Sequence, residues 1–112
     1  MMRRFDLESY LEMNEKFQCT EIHVVPPMVV AVLMSPISHK KGWLKSVKYA
    51  ICGAAPLDKE LQDRFLKLLS PGAGVNQVWG MTETSCIATR FKHTDRDYTG
   101  SIGHPIPNVK LK

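Results

Sequence analysis

Thr82 and Glu83 place a hydroxyl and a carboxylate side by side at the end of the stretch Asn76-Gln77-Val78-Trp79-Gly80-Met81. The pair suits a phosphate and its Mg²⁺, because Mg²⁺ takes hard oxygen ligands and is usually held by one or two carboxylates together with phosphate and water. The approach is apolar and aromatic through Val78 and Trp79. It then turns at Gly80, where the missing Cβ lets backbone come close to a bound group. A strand handing over to a reactive loop is the expected local structure. A second break, Gly53-Ala54-Ala55-Pro56, offers another tight turn of small residues.

The elements around these loops follow from periodicity. Ser46 to Cys52 sets Val47, Tyr49 and Ile51 on one face, a strand pattern. After Gly53 to Pro56, Leu57, Leu61, Phe65 and Leu68 recur at helical spacing, with Glu60/Arg64 and Asp63/Lys67 as outer i,i+4 ion pairs. Ser70-Pro71-Gly72 and Gly74 end that helix, and Val75 to Trp79 forms the next strand. Strand, small-residue turn, amphipathic helix, strand is a βαβ unit with parallel pairing. Ligands of such sheets bind beyond the carboxyl ends of the strands, and both loops lie at those ends.

Upstream, Asp6 caps a helix carrying Leu7, Tyr10 and Leu11 that ends near Lys16 to Gln18. Glu21 to Val25 reads as a short strand stopped by Pro26-Pro27. Met28 to Met34 is either a helix with Pro27 in its first turn or a buried strand, since an unbroken apolar run fits both. Ile37 to Lys45 reads as a polar connection anchored by Trp43 and Leu44. Downstream, Cys86 to Phe91 is a strand or a helical turn, and His93 to Tyr98 a polar loop. Gly100 to Asn108 is dense in Gly and Pro, and Val109 to Lys112 is expected as a last short strand.

Composition bounds the rest. The 112 residues allow at most one modest domain, and the 44% hydrophobic and 23% charged fractions are those of an ordinary globular chain. The net charge of +4 comes from dispersed Lys and Arg with small clusters at Arg3-Arg4 and His39-Lys40-Lys41, without the basic stripe and motif of a nucleic-acid binder. Cys19, Cys52 and Cys86 show no metal-ligand spacing, and reduced, intracellular thiols are expected. No cationic segment followed by a long apolar core opens the sequence, so no signal peptide is expected, and the longest apolar run, the seven residues Met28 to Met34, is far short of the ~20 that span a bilayer. An intracellular location, cytoplasmic or peroxisomal, is the expectation.

Three segments in order resemble the adenylate-forming enzymes: Cys52-Gly53-Ala54-Ala55-Pro56-Leu57, then Gln77-Val78-Trp79-Gly80-Met81-Thr82-Glu83-Thr84, then Gly100-Ser101-Ile102-Gly103-His104-Pro105-Ile106-Pro107-Asn108. With Phe5-Asp6-Leu7 and Val24-Val25-Pro26-Pro27, the chain is most similar to the 4-coumarate:CoA ligase and acyl-CoA synthetase branch. The resemblance implies an α/β fold with a mostly parallel sheet and flanking helices, an interior part of the large N-terminal domain of those enzymes. It also implies a reaction: a carboxylate attacks the α-phosphate of ATP to give an acyl-adenylate and pyrophosphate, and the thiol of coenzyme A then takes the acyl group.

Position by position, the resemblance makes Gly53, Ala54, Ala55, Pro56, Gln77, Val78, Trp79, Gly80, Met81 and Thr82 the nucleotide-binding residues. Gly53 to Pro56 would lie under the adenine and beside the acyl group, Trp79 would stack on the adenine, Thr82 would bond the α-phosphate, and Glu83 would hold Mg²⁺. Thr82 and Glu83 are thus the expected catalytic pair, and the expected partners are a small carboxylic acid, ATP and coenzyme A. Cys52 stands where relatives commonly have Ser, and Trp79 where many have Tyr. Val78 replaces a frequent Gly, so its branched side chain is expected to narrow the acyl pocket. The family's Ser/Thr/Gly-rich phosphate loop with its Lys, the interdomain hinge and the C-terminal domain with its catalytic Lys have no counterpart in the sequence.

Taken singly, each motif has a plainer reading: Gly53 to Pro56 a turn, Trp79 a core aromatic, Glu83 a solvated carboxylate. Their joint order on one rim favours common ancestry. Two classes of function follow. One is part of a carboxylate:CoA ligase, expected to be inactive in isolation; the other is a non-catalytic remnant or a nucleotide- or protein-binding module. Sheet edges left open where neighbouring strands are missing favour self-association.

Overall fold

The computed structural model describes residues 4–93 and 95–112. Arg3 of the basic pair, and Thr94 within the expected loop from His93 to Tyr98, lie outside the described residues. A parallel sheet, β1(Glu21–Val24), β2(Tyr49–Cys52) and β3(Gly74–Gln77) in the order β1-β2-β3, is flanked by helices α1(Leu7–Lys16), α2(Pro26–Met34), α3(Pro36–Lys40) and α4(Lys59–Leu66). An antiparallel sheet follows, β4(Trp79–Met81), β5(Cys86–Arg90) and β6(His104–Pro105), with a single 3₁₀ turn over Thr82–Thr84 between its first two strands.

Local chemistry explains the helix ends. The Asp6 carboxylate accepts from the Ser9 N–H at 2.9 Å at the start of α1, and Asp58 accepts from Glu60 N–H at 2.8 Å at the start of α4. The apolar run is a helix and not a strand. Pro26 and Pro27 sit in its first turn, where a missing N–H costs nothing, and Val29, Val32 and Leu33 bury one face. Ser35 ends α2 and caps α3 by accepting from Ile37 N–H, so part of the expected connection after Pro36 is helical.

β2 is shorter than expected and buries Tyr49, Ala50 and Cys52, with Ile51 partly buried, rather than burying alternate residues, because a parallel sheet is covered on both faces. The Glu60/Arg64 and Asp63/Lys67 pairs are not among the ion pairs closer than 4 Å within the described residues. Val109 to Lys112 is not a strand.

The main core, including Leu11, Val29, Val32, Val47, Phe65 and Val75, takes no residue from the second sheet. The Cα radius of gyration, 14.4 Å, accordingly exceeds the ~13 Å of a compact chain this long. No described helix is long and apolar enough to cross a membrane.

Candidate active site

The parallel register builds the rim. Cys52 is level with Val24 on one side and Gln77 on the other, so Gly53 and Val78 leave the sheet at the same height. Gly53 N–H still bonds Val24 O at 3.2 Å, and Val78 N–H bonds Cys52 O at 2.9 Å. A Cβ on Gly53 would come within 3.1 Å of Val78 Cγ2, so the small residue of one loop accommodates the branched residue of the other.

Seven of the ten expected nucleotide residues, Ala54, Ala55, Pro56, Gln77, Val78, Trp79 and Gly80, line one cleft of about 240 Å³, with Ile102 of the third segment as its remaining lining residue. Trp79 is 38% exposed there. Met81 and Thr82 line a second, shallower depression with Gly80, Ser85 and Cys86. Gly80 is the residue common to both. Glu83 and Gly53 line neither.

The stretch from Asn76 to Thr84 is not one strand with a loop. β3 stops at Gln77, and after the single residue Val78 the chain enters the antiparallel sheet at Trp79. Gly80 pairs with Ile87 beside a register shift, and a Cβ there would fall against the backbone of Cys86 and Ile87. The glycine is required by the neighbouring strand, a demand that the local sequence does not reveal.

Thr82 and Glu83 sit exposed on the 3₁₀ turn, and neither side chain is among the described hydrogen-bonding groups. Thr84, in contrast, holds the turn closed: its hydroxyl accepts from Met81 N–H at 3.1 Å and lies 2.9 Å from Met81 O and 3.2 Å from Cys86 O. Ser85 and Cys86 both have positive φ, 55° and 100°, and complete a tight reversal.

Among the described residues no group of three or more His, Cys, Asp and Glu gathers that could hold a metal alone. One exposed carboxylate beside one hydroxyl is the donor set of a Mg²⁺ shared with a phosphate, not of a self-contained metal centre. The partly exposed indole, which lines the same cleft as Ala54, Ala55 and Pro56, likewise fits a flat aromatic base.

Sequence reasoning missed what holds these loops. Asn76 and Gln77 are 0% and 3% exposed. Asn76 donates to Tyr49 Oη and to Asp95 O, both at 3.0 Å, and accepts from Asp97 N–H at 3.0 Å. Gln62, on α4, donates to Val75 O at 2.9 Å and Asp97 O at 3.1 Å.

The Asp97 carboxylate accepts from Thr99 Oγ1 at 2.6 Å and from the N–H groups of Thr99, Gly100 and Ser101 at 3.1, 2.8 and 3.0 Å. Partial burial alone would raise its pKa, but these hydrogen bonds together outweigh it and hold the group below its ordinary value. The signal in the sequence was two consecutive amides, Asn76-Gln77, inside an otherwise apolar strand. Buried amides require partners. Burial also pushes the Cys52 thiol up to about 11, which leaves it an inert small side chain in the sheet.

Comparison with known proteins accords with this geometry. A sequence profile described as AMP-binding enzyme matches residues 1–112. The chain is 48% identical over 112 residues to acyl-CoA synthetase ACTT5 of Alternaria alternata, which covers 100% of this chain and 19% of that protein. It is 37% identical over 117 residues to 4-coumarate–CoA ligase 1 of Oryza sativa subsp. japonica, covering 100% of this chain and 20% of that one. The crystal structure of a long-chain-fatty-acid-CoA ligase, FadD1, from Archaeoglobus fulgidus superposes with a TM-score of 0.78 at 30% identity, over 90% of this chain and 22% of that one. The chain thus spans about a fifth of the length of the relatives it matches. With the order of its motifs, the α/β fold and the whole-length match in agreement, the chain belongs to the AMP-binding enzyme family.

Proposed function

We propose that these residues form one wall of the adenylation site of an ATP-dependent carboxylate:CoA ligase. The observation that carries the reading is the cleft in which Ala54, Ala55 and Pro56 face Gln77, Val78, Trp79 and Gly80. In this reading Trp79 stacks on the adenine against the small-residue loop. The exposed turn presents Thr82 to the α-phosphate, and Glu83 helps hold Mg²⁺ beside it. ATP and its Mg²⁺ supply the activated phosphorus; the chain's own part is to orient the nucleotide and balance its charge. Val78, packed on Gly53, restricts the room left for an acyl group.

The 112 residues span about a fifth of the length of the relatives they match, and the Lys residues that the resemblance implies for the phosphates and the chemical step have no counterpart among them. The isolated chain therefore binds nucleotide without turning it over. Carboxylate-dependent ATP–pyrophosphate exchange above that of a Glu83→Ala control would refute this. A compartment inside the cell, cytoplasmic or peroxisomal, fits the three free cysteines. Within the chain, β1 and β3 are the outer strands of their sheet, which supports self-association through open edges.

Quenching of Trp79 fluorescence by Mg·ATP tests the binding part. The titration should saturate, and Glu83→Ala should weaken it about tenfold with Mg²⁺ present, since a hydrogen bond or contact to a charged group is worth roughly 1.5–3 kcal/mol. In EDTA the substitution should change little. Equal loss with and without Mg²⁺ would remove Glu83 from the metal.

A further inference from the structure

We infer that Gln77 is a positioning residue that fastens the three segments of the cleft to one another; the inference rests on the nucleotide reading of that cleft. Leu57, directly after Pro56, ends the small-residue loop, and Gln77 is the last residue of β3. The Gln77 side-chain amide pairs with Leu57 as a second backbone would: Oε1 accepts from Leu57 N–H at 2.8 Å, and Nε2 donates to Leu57 O at 3.0 Å. Nε2 also reaches Gly100 O at 3.3 Å, in the third segment, and more loosely Gln62 Oε1 on α4 at 3.5 Å. Gly100 has φ +82°, a left-handed backbone conformation that favours glycine.

One orientation of the amide satisfies all of this, with the oxygen toward the N–H and the nitrogen toward two carbonyls. Gln77 is 3% exposed and its side chain is engaged by protein, although the residue borders the cleft. Gln77 serves the nucleotide indirectly. It sets how far the Ala54–Pro56 loop stands from Trp79, two residues further along its own chain. In this inference the Gln77 side chain positions the loop rather than touching the nucleotide.

The geometry separates Gln77 from a general core residue. Leu57 N–H has a side chain as its partner, so its protection depends on that side chain, whereas Ala50 and Val75 lie within the paired strands. Gln77→Met keeps the length and removes all four side-chain bonds, the long one to Gln62 included. Gln77→Glu keeps the acceptor for Leu57 N–H but turns a carboxylate toward two carbonyl oxygens, and protonation restores one donor. Val29→Ala weakens the core without removing any bond of the fastener.

The test is amide hydrogen exchange of the purified chain, combined with Mg·ATP titration of the same samples. In Gln77→Met, the protection factor of Leu57 should fall at least tenfold further than those of Ala50 and Val75, and ATP affinity should fall about tenfold, the factor corresponding to ~1.4 kcal/mol. In Gln77→Glu, which keeps the acceptor, Leu57 protection should fall less than in Gln77→Met. Val29→Ala should lower protection without singling out Leu57.

Uniform loss of protection in both Gln77 variants would overturn the proposal, as would unchanged ATP affinity in a folded Gln77→Met. Selective loss at Leu57 in a chain that binds no nucleotide even unsubstituted would uphold the fastener and sink the nucleotide reading instead.

Discussion

Replacing Gly80 with alanine is expected to open the β4–β5 pairing at a cost on the order of 3 kcal/mol, the upper end of what overpacking usually produces. The added methyl has no free volume: it meets the backbone of the adjoining strand, at 2.6 Å from Cys86 C and 2.7 Å from Ile87 Cα. Backbone in a paired strand cannot yield as a flexible side chain does. Relief requires the strands to separate, which gives up the Gly80/Ile87 and Met81/Cys86 pairs.

The damage should stay in the second sheet, because the main core takes nothing from it. Urea unfolding with hydrogen exchange would show early loss of protection at Ile87 and Ala88 while Ala50 and Val75 persist. Gly72→Ala is the matched control. Its φ is +75° but nothing lies within 4 Å of the new Cβ, so only the left-handed backbone penalises it, by about 1 kcal/mol. Equal costs at the two positions would contradict the steric account of Gly80.

Asp97→Ala should cost about 3 kcal/mol, since several hydrogen bonds to a charged group disappear and the Thr99 and Gly100 N–H groups lose their partner, while Ser101 N–H keeps Thr99 Oγ1. The effect should extend to Gly100, which borders Gln77, and so loosen the cleft from its third side. The pH dependence follows from the sign of the shift. Burial opposes the charged form, the hydrogen bonds favour it more strongly, and the folded carboxyl sits below its ordinary value of 3.8.

A depressed acid contributes stability that is fully present above the unfolded value and lost as pH falls through the folded one. The advantage of the natural chain over Asp97→Asn should therefore be constant above about pH 5, and shrink below 3.8. Urea midpoints across that range would check it. An advantage that grew in acid would show that the carboxylate is stabilised less than its hydrogen bonds imply.

Legibility in the sequence tracked how local the determining interactions are. Asp6 with Leu7, Tyr10 and Leu11, and Leu61 with Phe65, announced α1 and α4 because caps and helical periodicity act within a few residues. The βαβ unit put Gly53 to Pro56 and Gly80 on one rim, and the register of Cys52 with Gln77 accounts for it. Met28 to Met34 stayed ambiguous because a run apolar on every side has no period; the prolines in its first turn and the burial of Val29, Val32 and Leu33 mark it as a helix.

The second sheet was largely illegible. Its strands are of three, five and two residues, and β6 takes its conformation from pairing Thr89 with Pro105 and Arg90 with His104, a contact between segments far apart in sequence. Val109 to Lys112 had a strand-like pattern and found no partner strand. The candidate site was legible by residue type but not by duty. Gly80 is conformationally necessary for its neighbour β5, and Gln77 binds Leu57 across 20 residues. Such partners emerge only once the chain has folded.

The central claim is that the cleft between Ala54–Pro56 and Gln77–Gly80, with the turn at Thr82 and Glu83, is one wall of a nucleotide site. It is tested most directly by following the backbone amides and the Trp79 indole N–H of the purified chain by NMR during a titration with Mg·ATP. Saturable shifts confined to Ala54, Ala55, Trp79, Gly80 and the Thr82–Thr84 turn are the result expected. No saturable shift, or shifts centred elsewhere on the chain, would contradict it.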